Sequence, residues 1–360
     1  MRRTLIAAAA AGLLTVAACG TADTDAPADN PDGEQAPADA GGGDEDTGDV
    51  PDEDVEEGSY VNVVKLTGIA WFDRMEAGVR AFADSSGIDA TQTGPSTDSP
   101  EQQVASIQSL IAQRPTVMGV VPSDPGAMQA VITQAREAGI VVVTHEAPQI
   151  QDADADIEPF ANDVYGETIM EDLAACMGGE GEYVQFVGKL TAETHMEWSD
   201  AALELQQSDY PDMTRVSDPV ESDDNADTAY ERTKQLLQSH PELVGFQGAS
   251  SQDVPGIARA IEEAGLEDDT CVFGTGVPSE TRQFLTSGAI DAIYLWDPAL
   301  SGQAMLEAGR IIAEGGELTE GTDLGVEGYE SLVQSPDSDL VFMGDAQLKI
   351  TADTVDDYDF

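Results

Sequence analysis

Aromatic, imidazole and carboxylate side chains crowd six short stretches of this 360-residue chain, and each stretch directly follows an apolar run. They are residues 67–72, with Trp71 and Phe72; His145 and Glu146; 189–195, with Thr194 and His195; 250–255, with Asp253 and Pro255; 275–278; and Trp296 with Asp297. Flat apolar faces set among a few converging hydrogen-bonding groups suit a small polar molecule with apolar sides, meaning a sugar or a sugar-like compound. Two other chemistries compete for the same residues. His145, Glu146 and His195 form a His/His/carboxylate set of the kind that zinc takes. Imidazoles that hydrogen-bond a hydroxylated ligand explain them equally, so neither metal nor cofactor is expected. Hydrolysis would need an activated nucleophile or two facing carboxylates about 5–9 Å apart. No GxSxG motif occurs, and Glu146 and Asp253 could face each other only after closure, so the chain is not expected to be an enzyme.

The elements that must position these residues are legible as alternation. Short apolar strands are predicted over 60–66, 116–121, 140–144, 183–187, 243–247, 270–273 and 289–295, with amphipathic helices between them. Ser99-Pro100 and Asp124-Pro125 place an N-cap ahead of a proline at the first helical position, and Gly139 and Gly265 follow the ends of apolar-periodic runs. Repetition of strand and helix makes parallel sheets flanked by helices, an α/β fold. About 300 residues exceed what one core usually serves, so two lobes are expected. In such sheets ligands bind beyond the carboxyl ends of the strands, which is where the six stretches fall.

The chain opens with MRRTLIAAAAAGLLTVAACG. Its apolar run is about 14 residues, short of the roughly 20 that a spanning helix needs. Small residues just before Cys19 complete a bacterial lipoprotein signal, so residues 1–18 are expected to be removed and Cys19 acylated, anchoring the protein to the outer face of the cell membrane. Residues 19–57 hold fifteen acids and no base, and no aromatic residue. They cannot bury a core, so they are expected to form a disordered, self-repelling tether. The remainder is acidic as well, with net charge −42 over residues 58–360 and four lysines in the whole chain. Such charge destabilises a compact state unless salt screens it, which predicts a halophilic or salt-tolerant host. It also excludes nucleic acid as a partner, because that binding rests on cationic contacts to phosphate. Cys176 and Cys271 end a predicted helix and open a predicted strand; an exported compartment permits them to pair, and two buried thiols are the alternative.

The motifs in order, Val64-Lys65-Leu66-Thr67-Gly68, Trp71-Phe72-Asp73, GPSTDSPEQQV, VVPSDPGAM, VVVTHEAP, LWDP and the final Tyr358-Asp359-Phe360, resemble the solute-binding proteins of sugar ABC importers, in their autoinducer-2 and rhamnose-type branch. The resemblance implies the type I periplasmic-binding-protein fold, two Rossmann-like lobes with parallel sheets joined by a three-stranded hinge. Crossovers would lie near 161–163, 296–297 and 325–328. One lobe would hold 58–161 plus 297–326, the other 162–296 plus 327–360. It further implies a monomer that delivers a small ligand to a membrane permease, or that presents the ligand to a membrane receptor as a signal. Ligand contacts carried over are Lys65 as donor, Trp71 and Phe72 as stacking faces, Glu146 in place of an aspartate, Thr194-His195 in place of an Asp-Gln pair, Pro255 through its neighbouring backbone, and Trp296-Asp297. The changes at Glu146 and Thr194-His195, the latter removing an acceptor carboxylate, put autoinducer-2 itself in question.

Overall fold

A computed structural model describes residues 58–360; the leader 1–18, the acylation candidate Cys19 and the acidic segment 19–57 lie outside the described residues. The chain alternates strand and helix from the outset: β1 (Tyr60–Val63), α1 (Ala70–Ser86), β2 (Ala90–Thr93), α2 (Pro100–Gln113), β3 (Val117–Val120), α3 (Pro125–Glu137), β4 (Val141–Thr144) and β5 (Ala155–Glu158). Parallel pairing in the order β5-β4-β3-β1-β2 makes the first sheet. Every residue of β1 and β3 is buried, since helices cover both faces and the strands can be apolar almost throughout. The caps form as the sequence requires: Ser99 Oγ accepts Gln102 N–H and Asp124 Oδ1 accepts Ala127 N–H, with Pro100 and Pro125 opening their helices.

The second half repeats the plan with α4 (Asn162–Met177), β6 (Glu180–Val187), α5 (Glu193–Asp209), β7 (Asp212–Arg215), β8 (Val220–Glu221), α6 (Ala226–Ser239), β9 (Leu243–Gly248), α7 (Asp253–Ala264), β10 (Cys271–Thr275), α8 (Pro278–Ser287) and β11 (Ala292–Leu295). Its sheet runs β11-β10-β9-β6-β7, with β8 also on β6. The chain then returns to the first sheet through α9 (Pro298–Ala313), β12 (Val333–Gln334) and β13 (Val341–Met343), and ends on the second with β14 (Leu348–Ile350). α9 packs on α1, where Gly78 makes the approach possible: a Cβ there would stand 1.9 Å from Ala299 O.

The result is two α/β lobes whose sheets are mostly parallel; β12–β13 and β11–β14 are antiparallel. Passages between the sheets lie between Glu158 and Asn162, between Leu295 and Pro298, and between Met343 and Leu348. The last corrects the crossing expected at 325–328. Gly325 and Gly328, at φ 65° and 81°, shape a turn ahead of the β12–β13 hairpin. Val341–Met343 then pairs with the open edge of β5, so residues 327–343 do not go to the second lobe. Cys176 and Cys271 are joined, with Cα atoms 6.0 Å apart. α4 runs back from the hinge to meet the amino end of β10, so the bond sits at the pole of its lobe away from the strands' carboxyl ends.

Candidate ligand-binding site

A small cavity lies between the lobes, lined by residues that follow β1, β4, β8, β9 and β11, by α5 and by Thr275 at the end of β10. Its walls are aromatic. Trp71 and Phe72 come from the start of α1, Trp198 from α5 and Trp296 from the second passage. Trp296 is the hub of the group, edge-on to Trp71 at 4.7 Å and to Trp198 at 5.9 Å between ring centroids.

Charge is concentrated at one point in this apolar frame. Lys65 Nζ, 6% exposed, stands 3.6 Å from Glu146 Oε2 in its own lobe and 3.5 Å from Asp224 Oδ2 in the other. Burial by itself would lower the Lys65 pKa, but the charges of Asp224, Glu146 and Asp98 outweigh it and hold the ammonium protonated. Asp224 is the reciprocal case: burial pushes it up, while Lys65 first, then His195 and the Ser250 hydroxyl, bring it below the usual carboxylate range. His195 falls to about 4, through burial and then the Lys65 charge. Its Nδ1 accepts Gly188 N–H at 3.1 Å, so the neutral ring carries its proton on Nε2 and can donate.

Both cavity carboxylates sit on left-handed backbone. Glu146 has φ 59°, and Asp223 and Asp224 have φ 56° and 48°, a conformation that costs a non-glycine residue about 1–2 kcal/mol. Strain of this kind collects where a site over-determines its geometry. Gly188 serves the same carboxylate from the other side, since a Cβ there would fall 2.4 Å from Asp224 Oδ1.

Of the residues nominated from sequence, Lys65, Trp71, Phe72, Glu146, His195 and Trp296 line the cavity. The others do not, and each is engaged elsewhere. Asp297 uses both oxygens on Arg74, at 2.8 and 2.5 Å, and caps α9 through Ala299 N–H. The His145 ring is fully buried, with Nδ1 2.6 Å from Ile157 O and an edge contact to Trp296. Thr194 is buried in the first turn of α5 and Pro255 inside α7. Asp253 turns its carboxylate to Ser250 N–H. Among the described residues no three His, Cys, Asp or Glu side chains are grouped to hold a metal ion, and no helix is long and apolar enough to cross a membrane.

Asp224 and Trp198 are the charged and the aromatic cavity residue that sequence reasoning missed. In the run Ser222-Asp223-Asp224-Asn225, Asn225 is the N-cap of α6, so the aspartates read as turn chemistry. Trp198 lies three residues after His195 on one helical face, a spacing that does signal a shared direction. Asp224 places a carboxylate in the cavity from another loop. Lys189, just after β6, adds a second bridge between lobes: Nζ donates to Asp98 O at 2.6 Å and lies 3.2 Å from Asp98 Oδ2. Two of the four lysines in the chain thus span the cleft.

A family model described as the periplasmic binding protein domain matches residues 60–317. Solved structures share the architecture at low identity. LsrB from Clostridium saccharobutylicum in complex with AI-2 is 20% identical with a TM-score of 0.77, over 84% of this chain and 100% of the other. An ABC transporter solute-binding protein from Clostridium phytofermentas with bound L-rhamnose is 17% identical with a TM-score of 0.78, over 84% and 98%. A carbohydrate transporter solute-binding protein from Agrobacterium radiobacter in complex with D-arabinose is 18% identical with a TM-score of 0.73, over 84% and 96%. At these identities the likeness establishes the fold, the type I arrangement of two lobes.

Proposed function

Because this chain belongs to the family of periplasmic binding protein domains, we propose that it is an extracytoplasmic solute-binding protein, capturing a sugar or sugar-like ligand between its lobes as a monomer and delivering it to an ABC permease. The observation that carries this reading is Lys65 held between Glu146 and Asp224, carboxylates of opposite lobes, inside a cavity walled by tryptophan. Two carboxylates, one ammonium and one neutral imidazole leave the cavity net negative and rich in acceptors. That suits an uncharged polyol and disfavours phosphorylated or acidic sugars. Trp296 Nε1 is buried with no hydrogen-bond partner among the described residues, and a ligand oxygen would satisfy it. The ligands of the three similar structures, AI-2, L-rhamnose and D-arabinose, support a compact molecule without selecting among them.

Calorimetric titration in molar salt with autoinducer-2, L-rhamnose, D-arabinose and D-ribose tests the reading. One of them binding at about micromolar Kd or tighter is the expected result; a folded protein that binds none overturns it. Glu146→Ala should weaken the bound sugar by about 1.5–3 kcal/mol, the cost of losing a charged acceptor, and unchanged affinity would remove Glu146 from the contacts.

The anchor and the salt adaptation belong to the same reading. Acylation at Cys19 is tested by metabolic labelling with a fatty-acid analogue, where Cys19→Ser should abolish the label and release the protein. With net charge −42 over residues 58–360, melting temperature should rise as salt goes from about 0.1 to about 1 M and the screening length falls from about 10 to about 3 Å. A flat or falling profile contradicts the proposed halophilic adaptation.

A further inference from the structure

Asp253 is fully buried beside the cavity without lining it. It opens α7, and its Oδ2 accepts Ser250 N–H at 2.8 Å, while the Ser250 hydroxyl donates to Asp224 Oδ1. One serine therefore joins two buried carboxylates, the outer of which meets Lys65. The strand beneath makes room for it: a Cβ on Gly248 would stand 2.7 Å from the Asp253 Cβ.

We propose that Asp253 is a positioning residue of the ligand site: through Ser250 it fixes the orientation of the Asp224 carboxylate, and its charge sets how strongly Asp224 accepts from a ligand hydroxyl. This rests on the sugar-binding reading above. Burial pushes Asp253 up to about 7 against the bonds from Ser222 and Ser250, with the Asp224 charge adding to the rise. The groups around it are Ser222 and Asp224 from the loop after β8, Lys65 and Glu146 beyond Asp224 in the first lobe, His195 from α5, and Glu280 of α8, reached through Gln252 at 2.8 Å. Above neutral pH the ionised Asp253 accepts the Ser250 N–H as a charge-assisted bond and places a second negative charge behind Asp224. Both effects favour hydroxyl donors.

The expected result is that the sugar which binds does so about fivefold more tightly at pH 8 than at pH 6. Asp253→Asn, which keeps an acceptor oxygen but has no charge, should match the wild type at pH 6 and lose the tightening. Asp253→Ala and Ser250→Ala should each weaken binding by about tenfold at both pH values. Glu193, pushed up to about 7 chiefly by burial, bonds Gln149 N–H across the lobes, so Glu193→Gln is the control that should retain the pH step. A step that survives in Asp253→Asn, or Asp253→Ala and Ser250→Ala proteins that bind like the wild type, overturns the proposal. Carbon NMR of the aspartate carboxyls reads the same coupling without ligand. The Asp224 resonance, assigned by its loss in Asp224→Asn, should show an inflection near pH 7 that vanishes in Asp253→Asn. If the inflection is present but no sugar binds in the titration, the ligand reading falls and the positioning role stands; if the inflection is absent, the positioning role falls whatever binds.

Discussion

Lys65→Met should cost about 3–5 kcal/mol of stability and remove ligand capture, the largest effect expected of any single substitution in the cavity. Methionine fills the volume, so packing changes little. What changes is that Glu146 and Asp224, 6% and 5% exposed, face each other across the lobes with no cation between them. Adding Asp224→Asn to Lys65→Met should recover part of the stability, because one uncompensated charge is gone, but should not recover binding, because donor and acceptor are both lost. Chemical denaturation of the two variants beside calorimetry separates these terms. A Lys65→Met protein with wild-type stability would show that the ammonium does not neutralise the pair.

Breaking the Cys176–Cys271 bond should cost about 2–5 kcal/mol, since it closes a span of 95 residues and so restricts the unfolded chain strongly. Either single Cys→Ser variant should lose as much as the double variant, because either removes the same cross-link. Sugar affinity should change little, as the bond lies at the pole of the second lobe away from the cavity. Melting with and without reductant, and titration of the variants, checks both halves; a single variant half as damaging as the double would rule out a shared cross-link as the cause.

The elements that sequence made legible are those whose pattern is set locally. β3 and β4 are buried almost throughout and read as continuous apolar runs; Ser99 and Asp124 announce their helices through side-chain caps that need no tertiary partner. β2, with the sequence Ala-Thr-Gln-Thr, and β5, with Ala-Asp-Ile-Glu, escaped. Polar residues there are tolerated because Gln92 bonds Asn62 and the Phe72 carbonyl, and Asp156 accepts from Thr144. Those partners lie 12 to 30 residues away. β13 is three residues long and is a strand through its pairing with β5 on one side and β12 on the other.

The same division runs through the site. By itself the sequence determined that parallel strands end in aromatic and polar loops and that Lys65, Trp71, Phe72, Glu146, His195 and Trp296 stand at those ends, because residue type and strand period decide these. Only the tertiary structure decided that Asp224 completes the Lys65 triad, that Asp297 is committed to Arg74, that Ser250 joins Asp253 to Asp224, and that the last crossing comes after Met343. Each of these depends on which of many carboxylates or edges lies within about 3–4 Å of a given partner. In a chain with 70 acids and 15 bases, ion pairing is a choice among many acids for few cations. Distance in space makes that choice, and spacing along the chain does not encode it.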